Sequence, residues 1–248
     1  KTDRLYTKRF EEETNLRCHL IIDNSSSMHY PKLKANESFY HNKIGFSVLA
    51  SAVLMNLLKK QRDAVGLSVY SDTYEYYAPE KGSDRHHRMI LNKLEDLLEN
   101  PKQAKSTDTV TYLHQIAEKM HRRSMIILFT DMFDPTANDG KTEALFNALQ
   151  HLKHDKHRVV VFHVIDKQTE INFNFDNAPR KFIDLETGEQ INIFADSIKE
   201  AYEEKVAAYF KSLALTCAQN KIKYVPVAVE ESFEKILTTY LVEKQLFG

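Results

Sequence analysis

The sequence predicts an α/β fold in which a mainly parallel β-sheet is covered by helices on both faces. Two features of the 248-residue chain lead to this prediction. Short apolar segments without polar alternation, typical of strands buried on both faces, recur along the chain. Helical patterns separate most of these segments, as expected when parallel strands are joined by helical crossovers. The composition agrees, since 42% hydrophobic and 28% charged residues are typical of a folded globular domain.

Four strands and three helices are predicted between residues 17 and 131. The first strand is the apolar run CHLIID, which ends at Asp23 and is followed by a polar, turn-rich loop. A helix is predicted over 43–61, where apolar residues recur at helical spacing from Ile44 to Leu58. Strands over 64–70 and 73–79 are joined by a tight turn, so the second is expected to be an antiparallel edge strand. Helical patterns cover 84–99 and 109–122, and the run SMIILFTD (124–131) is the fourth strand.

The remaining elements continue the alternation, with one interruption. A helix over 141–153 precedes the strand RVVVFHVI (158–165), and an insert over 167–194 follows it. The insert is irregular apart from a small hairpin, with Thr187 and Gly188 near its turn. A helix over 196–219, a strand over 223–229 and a helix over 231–245 complete the prediction. We expect one domain over 17–248, preceded by an N-terminal extension (1–16) that packs on it.

Composition excludes several classes of function. The chain has 34 basic and 35 acidic residues, a net charge of −1, which argues against a nucleic-acid-binding surface. Its 6 glycines never cluster, so neither of the common glycine-rich phosphate-binding loops can form. No apolar run approaches the ~18 residues of a membrane-spanning helix. The 2 cysteines lie in apolar patterns typical of buried thiols. We therefore expect a cytoplasmic protein.

Oxygen-bearing side chains follow two of the predicted strands. The first strand leads into Asp23, Ser25 and Ser27, whose alternation places their oxygens on one side of the turn, and the fourth ends at Asp131. In an open α/β sheet, ligands bind beyond the carboxyl ends of the strands, where the strand order reverses. Hard divalent cations prefer such oxygen ligands, which makes a metal site the leading interpretation. The same spacing also fits a simple turn capped by Asp and Ser side chains.

Two longer runs resemble a known bacterial family. RFEEETNLRCHLIIDNSSSM and YLHQIAEKMHRRSMIILFTDMFD, with the spacing between them, resemble domain-of-unknown-function family 58. The motif DNSSSM, together with a distant Thr and a strand-ending Asp, resembles the metal-ion-dependent adhesion site of von Willebrand factor A domains. The resemblance covers nearly the whole chain. It implies a six-stranded von Willebrand factor A-like, Rossmann-like sheet with strand order 3-2-1-4-5-6.

The resemblance also implies a set of metal ligands. Ser25 and Ser27 would bind Mg²⁺ (or Mn²⁺ or Ca²⁺) directly, Asp23 and Asp131 would act through water, and Thr107 matches the family's threonine. Relatives often carry a glycine shortly after the serine motif and another before the threonine, and this chain has neither. The shapes of these two loops therefore do not follow from the resemblance, and Thr109 is the alternative to Thr107.

The resemblance implies a binding module and not an enzyme. The bound cation would complete its coordination with an acidic residue of a protein partner, and family members are commonly encoded beside MoxR-type AAA+ ATPases, which implies a chaperone-like or assembly role. One alternative is a Mg²⁺-dependent phosphohydrolase or nuclease that uses Asp23 and Asp131. Such enzymes need more carboxylates that converge on one site. Ser25 occupies the position at which a phosphatase would carry a second carboxylate. The other alternative is a metal-free scaffold.

Overall fold

The structure is a computed structural model that describes residues 16–33, 37–100, 109–132, 139–175, 179–183, 190–231 and 233–246. The strands are β1 (Arg17–Asp23), β2 (Ala64–Tyr70), β3 (Tyr74–Lys81), β4 (Met125–Thr130), β5 (Arg158–Ile165), β6 (Pro179–Ile183), β7 (Gln190–Phe194) and β8 (Lys223–Ala228). The helices are α1 (Lys43–Lys60), α2 (Asp84–Glu99), α3 (Thr109–Lys119), α4 (Asp139–Lys153), α5 (Ala195–Gln219) and α6 (Glu234–Gln245).

The main sheet has six strands in the order β3-β2-β1-β4-β5-β8. All neighbours pair in parallel except β3, which pairs antiparallel with β2 at the edge. This confirms the predicted fold class and strand order. Strands β6 and β7 form a separate antiparallel pair within the predicted insert, as expected, while Thr187 and Gly188 lie outside the described residues.

Alternation along the central strands builds a core on each face of the sheet. In β4, Met125, Ile127 and Phe129 pack on one face together with α1, α2 and α6. Ile126 and Leu128 pack on the other face with α3, α4 and α5. Because both faces are covered, the strands are apolar throughout, which explains why the sequence shows continuous runs. Both cysteines are buried and unpaired, as predicted.

The structure differs from the sequence prediction mainly at the ends of elements. Helix α3 ends at Lys119 and not at residue 122. The chain leaves the helical conformation before Arg123, which adopts a left-handed φ of 58°. Strand β3 continues through Pro79 to Lys81, which an edge strand tolerates because its outer side needs no donor. The predicted loop after β1 contains short 3₁₀ turns, and a π-helical turn, Lys167–Ile171, opens the insert. Within the described residues, the helices are too short or too polar to cross a membrane.

Candidate metal centre

The candidate site lies at the carboxyl edge of the sheet, where two neighbouring strands end. Strands β1 and β4 pair in parallel up to Ile22 and Phe129, so Asp23 and Asp131 emerge side by side. Both residues are buried, at 3% and 6% exposure. The juxtaposition expected from the sequence is therefore present. It lies at the point where the strand order reverses, since β2 lies on one side of β1 and β4 on the other.

The two serine hydroxyls after β1 converge as expected. The backbone of Ser25 is extended and leads into the 3₁₀ turn Ser26–His29. As a result, Ser25 Oγ lies 3.1 Å from Ser27 Oγ. The Ser27 hydroxyl also acts on Asp131, whose pKa it lowers by hydrogen bonding. The backbone N–H of Ser25 donates to Asp23 Oδ1 at 2.9 Å. This contact forms the turn capped by an Asp side chain that the sequence also fitted as the alternative to a metal site. The loop thus combines a self-capped turn with a converging pair of hydroxyls.

The second oxygen of Asp23 is held by two hydroxyl groups. Thr130 Oγ1 donates to Oδ2 at 2.8 Å and Tyr70 OH donates to the same oxygen at 3.3 Å. Burial raises the pKa of Tyr70, and hydrogen bonding by Thr109 opposes that rise. Burial, together with the negative charge of Asp131, raises the pKa of Asp23 to about 7. Asp23 is therefore fixed in orientation but ionises reluctantly.

Lys43, a residue that the sequence analysis missed, contributes a buried cation to this edge. It is the first residue of α1 and its side chain is fully buried. Its Nζ donates to Asp131 Oδ2 at 2.9 Å and to Glu170 Oε1 at 2.5 Å. Burial opposes the charge of Lys43, but the two carboxylates hold its pKa above the usual value. Burial likewise opposes ionisation of Asp131, yet Lys43 and the Ser27 hydrogen bond keep the pKa of Asp131 low.

The region carries more negative than positive charge. Lys43 contacts Asp131 and Glu170, and Asp131 also interacts electrostatically with both Asp23 and Glu170. If all three carboxyl groups were ionised, the single ammonium would leave an excess of two negative charges. Burial and Asp131 raise the pKa of Glu170 despite the favourable effect of Lys43. Buried like charges of this kind favour a cation that can neutralise them.

The geometry of the two hydroxyls fits a small divalent cation. Adjacent ligands of an octahedral Mg²⁺, each about 2.1 Å from the ion, lie about 3.0 Å apart. The Ser25 and Ser27 oxygens are 3.1 Å apart. Across the described ranges, no three His, Cys, Asp or Glu side chains form a metal-binding group. Thr107 lies outside the described residues, and the choice between Thr107 and Thr109 stays a prediction.

A second polar network lies inside the sheet and is sealed from solvent. His19 Nε2 is 2.7 Å from Ser68 Oγ, and His19 Nδ1 is 2.6 Å from Glu80 Oε1. The order hydroxyl, imidazole, carboxylate is that of a nucleophile with its base and orienting acid. However, His19 and Ser68 have 0% exposure, so no substrate can reach the hydroxyl. Gly66 makes room for the imidazole, since a Cβ there would lie 2.5 Å from His19 Nδ1. We assign this network a structural role.

The sequence contains a sign that points to Lys43 but none that points to Glu170. A lysine at the first position of a helix is electrostatically unfavourable, because the amino end of a helix carries partial positive charge. That conflict at Lys43 is a usable sign that a carboxylate lies nearby. Glu170 follows β5 within an irregular insert and has no comparable pattern, so only the folded chain shows that it reaches the site.

The family comparison agrees with the sequence resemblance. The family described as "Protein of unknown function DUF58" matches residues 1–211, which is most of the chain. The chain belongs to this family. Among proteins with curated descriptions, none shows significant sequence similarity to this DUF58 chain.

Solved structures share the fold of the DUF58 chain. The conserved hypothetical protein BatB from Bacteroides thetaiotaomicron has a TM-score of 0.56 at 13% identity, covering 94% of this chain and 100% of that one. An aerotolerance-related membrane protein from Bacteroides fragilis has a TM-score of 0.50 at 16% identity, covering 92% and 99%. The SpRpn10 VWA domain is more distant, with a TM-score of 0.45 at 13% identity, covering 92% and 95%. The strand order β3-β2-β1-β4-β5-β8 is the one that the von Willebrand factor A resemblance implies, so the DUF58 chain has a von Willebrand factor A-like fold.

Proposed function

We propose that this chain is a protein-interaction module that holds a divalent cation at the carboxyl edge of its sheet. Ser25 and Ser27 would bind Mg²⁺ or Mn²⁺ directly, with Asp23 and Asp131 orienting bound waters and Thr107 adding a further oxygen. The observation that carries the proposal is the hydroxyl pair, 3.1 Å apart, beside the buried carboxyl groups of Asp23 and Asp131. The cation would supply a Lewis-acidic position that an acidic side chain of the partner completes.

The residues of the chain prepare this position in three ways. Asp23 fixes the serine loop through the Ser25 N–H, and its other oxygen is anchored by Thr130. The Ser27 hydroxyl stabilises the ionised form of Asp131. These contacts orient the ligand oxygens before any cation arrives, which reduces the ordering cost of binding.

The partner that the family resemblance favours is a MoxR-type AAA+ ATPase, with the chain in a chaperone-like or assembly role. This part of the proposal rests on the resemblance. A pull-down of the ATPase by immobilised chain, with and without chelator, tests it. We expect the ATPase to bind only when divalent cation is present, and capture that is unaffected by the chelator would contradict a metal-dependent contact.

Titration calorimetry of Mn²⁺ and Mg²⁺ into chelator-treated protein tests the cation site. We expect one site in the wild-type chain and loss of binding in Ser25→Ala and Asp131→Ala. Ser212→Ala, which alters an exposed serine of α5, is the matched control and should bind like the wild type. Equal binding by all four proteins would refute the ligand assignment. Turnover of a phosphate ester that disappears in the first two variants would instead support the phosphohydrolase.

A further inference from the structure

Glu170 is a carboxylate that the chain itself supplies to the buried ammonium of Lys43. Its Oε1 lies 2.5 Å from Lys43 Nζ, on the same ammonium that Asp131 contacts at 2.9 Å. The Lys43 side chain is fully buried, whereas that of Glu170 is 14% exposed and so lies at the solvent end of the cluster. The position facing Lys43 is therefore a carboxylate-binding position whose occupant approaches from the protein surface.

The ammonium is held in place from the interior. Asn42 caps α1 by accepting a hydrogen bond from the N–H of Gly45 at 2.8 Å, which fixes where the helix begins. The Tyr30 ring centroid lies 6.0 Å from Lys43 Nζ. An ammonium has three N–H groups, and the contacts with Asp131 and Glu170 engage two of them.

Glu170, in contrast, sits on a short local turn. It belongs to the five-residue π-helical segment Lys167–Ile171, and its second oxygen accepts from the N–H of Asp166 at 2.8 Å. Tyr202 donates to the Glu170 carbonyl at 3.0 Å and joins this turn to α5. Local turns of this kind open at lower free energy than the core strands that carry Asp131.

We infer that Lys43 is a second anchoring point for an acidic group of the partner, and that Glu170 fills it until the partner binds. This inference rests on the proposed function, which requires an acidic partner. A tethered carboxylate competes as if it were present at millimolar or higher concentration. Free carboxylates at lower concentration are therefore excluded, while an acid delivered by a docked protein with additional contacts displaces Glu170. Partner choice then depends on more than a single acidic side chain.

Chemical rescue with acetate tests this assignment in chelator-treated, metal-free protein. Glu170→Ala removes the internal carboxylate and leaves an opening toward Lys43. We expect acetate to raise the Tm of Glu170→Ala by several degrees relative to equal chloride, in a saturable manner, and to shift the NMR signal of the Lys43 ε-methylene. The wild type, with the position filled, should show neither effect. Glu203→Ala, an exposed acid of α5 paired only loosely with Lys199, is the control and should also show neither.

An absence of both acetate effects in a folded Glu170→Ala protein would overturn the inference. If that variant does not fold, Glu170→Gln preserves the shape without the charge. Amide hydrogen exchange at Glu170 and Asn172 should then accelerate at least tenfold over the wild type, and unchanged exchange would overturn the role of the ion pair. Because these measurements use no metal, their result does not depend on whether the chain binds a cation. A failure of the cation site and a failure of this inference can therefore be told apart.

Discussion

Replacing Lys43 with methionine probes the buried charge cluster directly. Methionine keeps most of the side-chain volume, so packing changes little, but it removes the ammonium from Asp131 and Glu170. Their side chains are only 8% and 14% exposed, so water compensates poorly for the lost partner. Removing one member of a buried ion pair typically costs about 3–5 kcal/mol. For a chain of this size that corresponds to a fall in Tm of about 6–20 °C.

Urea unfolding of metal-free Lys43→Met, followed by circular dichroism, measures this loss. Lys59→Met is the matched control, because Lys59 and its partner Asp84 have side chains 51% and 75% exposed. Such an exposed pair contributes no more than about 1 kcal/mol. Adding Glu170→Gln to Lys43→Met should recover part of the lost stability, since it removes one of the two unpaired carboxylates. A loss in Lys43→Met no larger than that of the control would refute the reasoning.

Three further predictions concern the residues that shape the site and its sheet. Burial raises the pKa of Asp23 to about 7, so Asp23 by itself should contribute a loss of stability to the metal-free chain as pH rises from about 4 to 7, by at most about 1.4 kcal/mol per pH unit. Asp23→Asn should remove that part of the slope in urea unfolding measured across this range. Gly66→Ala should destabilise by about 1–3 kcal/mol, because the new Cβ overlaps His19 Nδ1, and an unchanged unfolding midpoint would contradict this packing. Asn42→Ala should cost about 1 kcal/mol by removing the cap on the Gly45 N–H, and Asn42→Asp, which can accept the same bond, should restore most of it.

The fold class and the ends of the strands could be predicted because they depend on local patterns, since buried parallel strands require continuous apolar runs. The strand order, and with it the placement of Asp23 beside Asp131, was implied by the family resemblance. The spacing of Ser25 and Ser27 likewise follows from the backbone leaving β1.

The charge balance of the site could not be predicted, because it depends on tertiary contacts across long stretches of sequence. Lys43 lies 88 residues from Asp131 and 127 from Glu170. The lysine at the start of α1 indicates locally that a carboxylate lies nearby, but it does not indicate which one. Nothing local indicates that an insert returns an acid to it. The hydrogen bonds that Tyr70 and Thr130 donate to Asp23 could not be predicted either, because each of these two residues by itself looks like an ordinary strand residue.

Crystals of the chain soaked in Mn²⁺ test the central claim most directly, because anomalous scattering locates the ion independently of any functional assay. The account predicts a peak about 2.2 Å from the Oγ atoms of both Ser25 and Ser27, with Asp131 in the surrounding shell. It also predicts that the peak is absent from Ser25→Ala crystals treated in the same way. A fully soaked wild-type crystal with no manganese at these hydroxyls, or with manganese bound only elsewhere, would contradict the account.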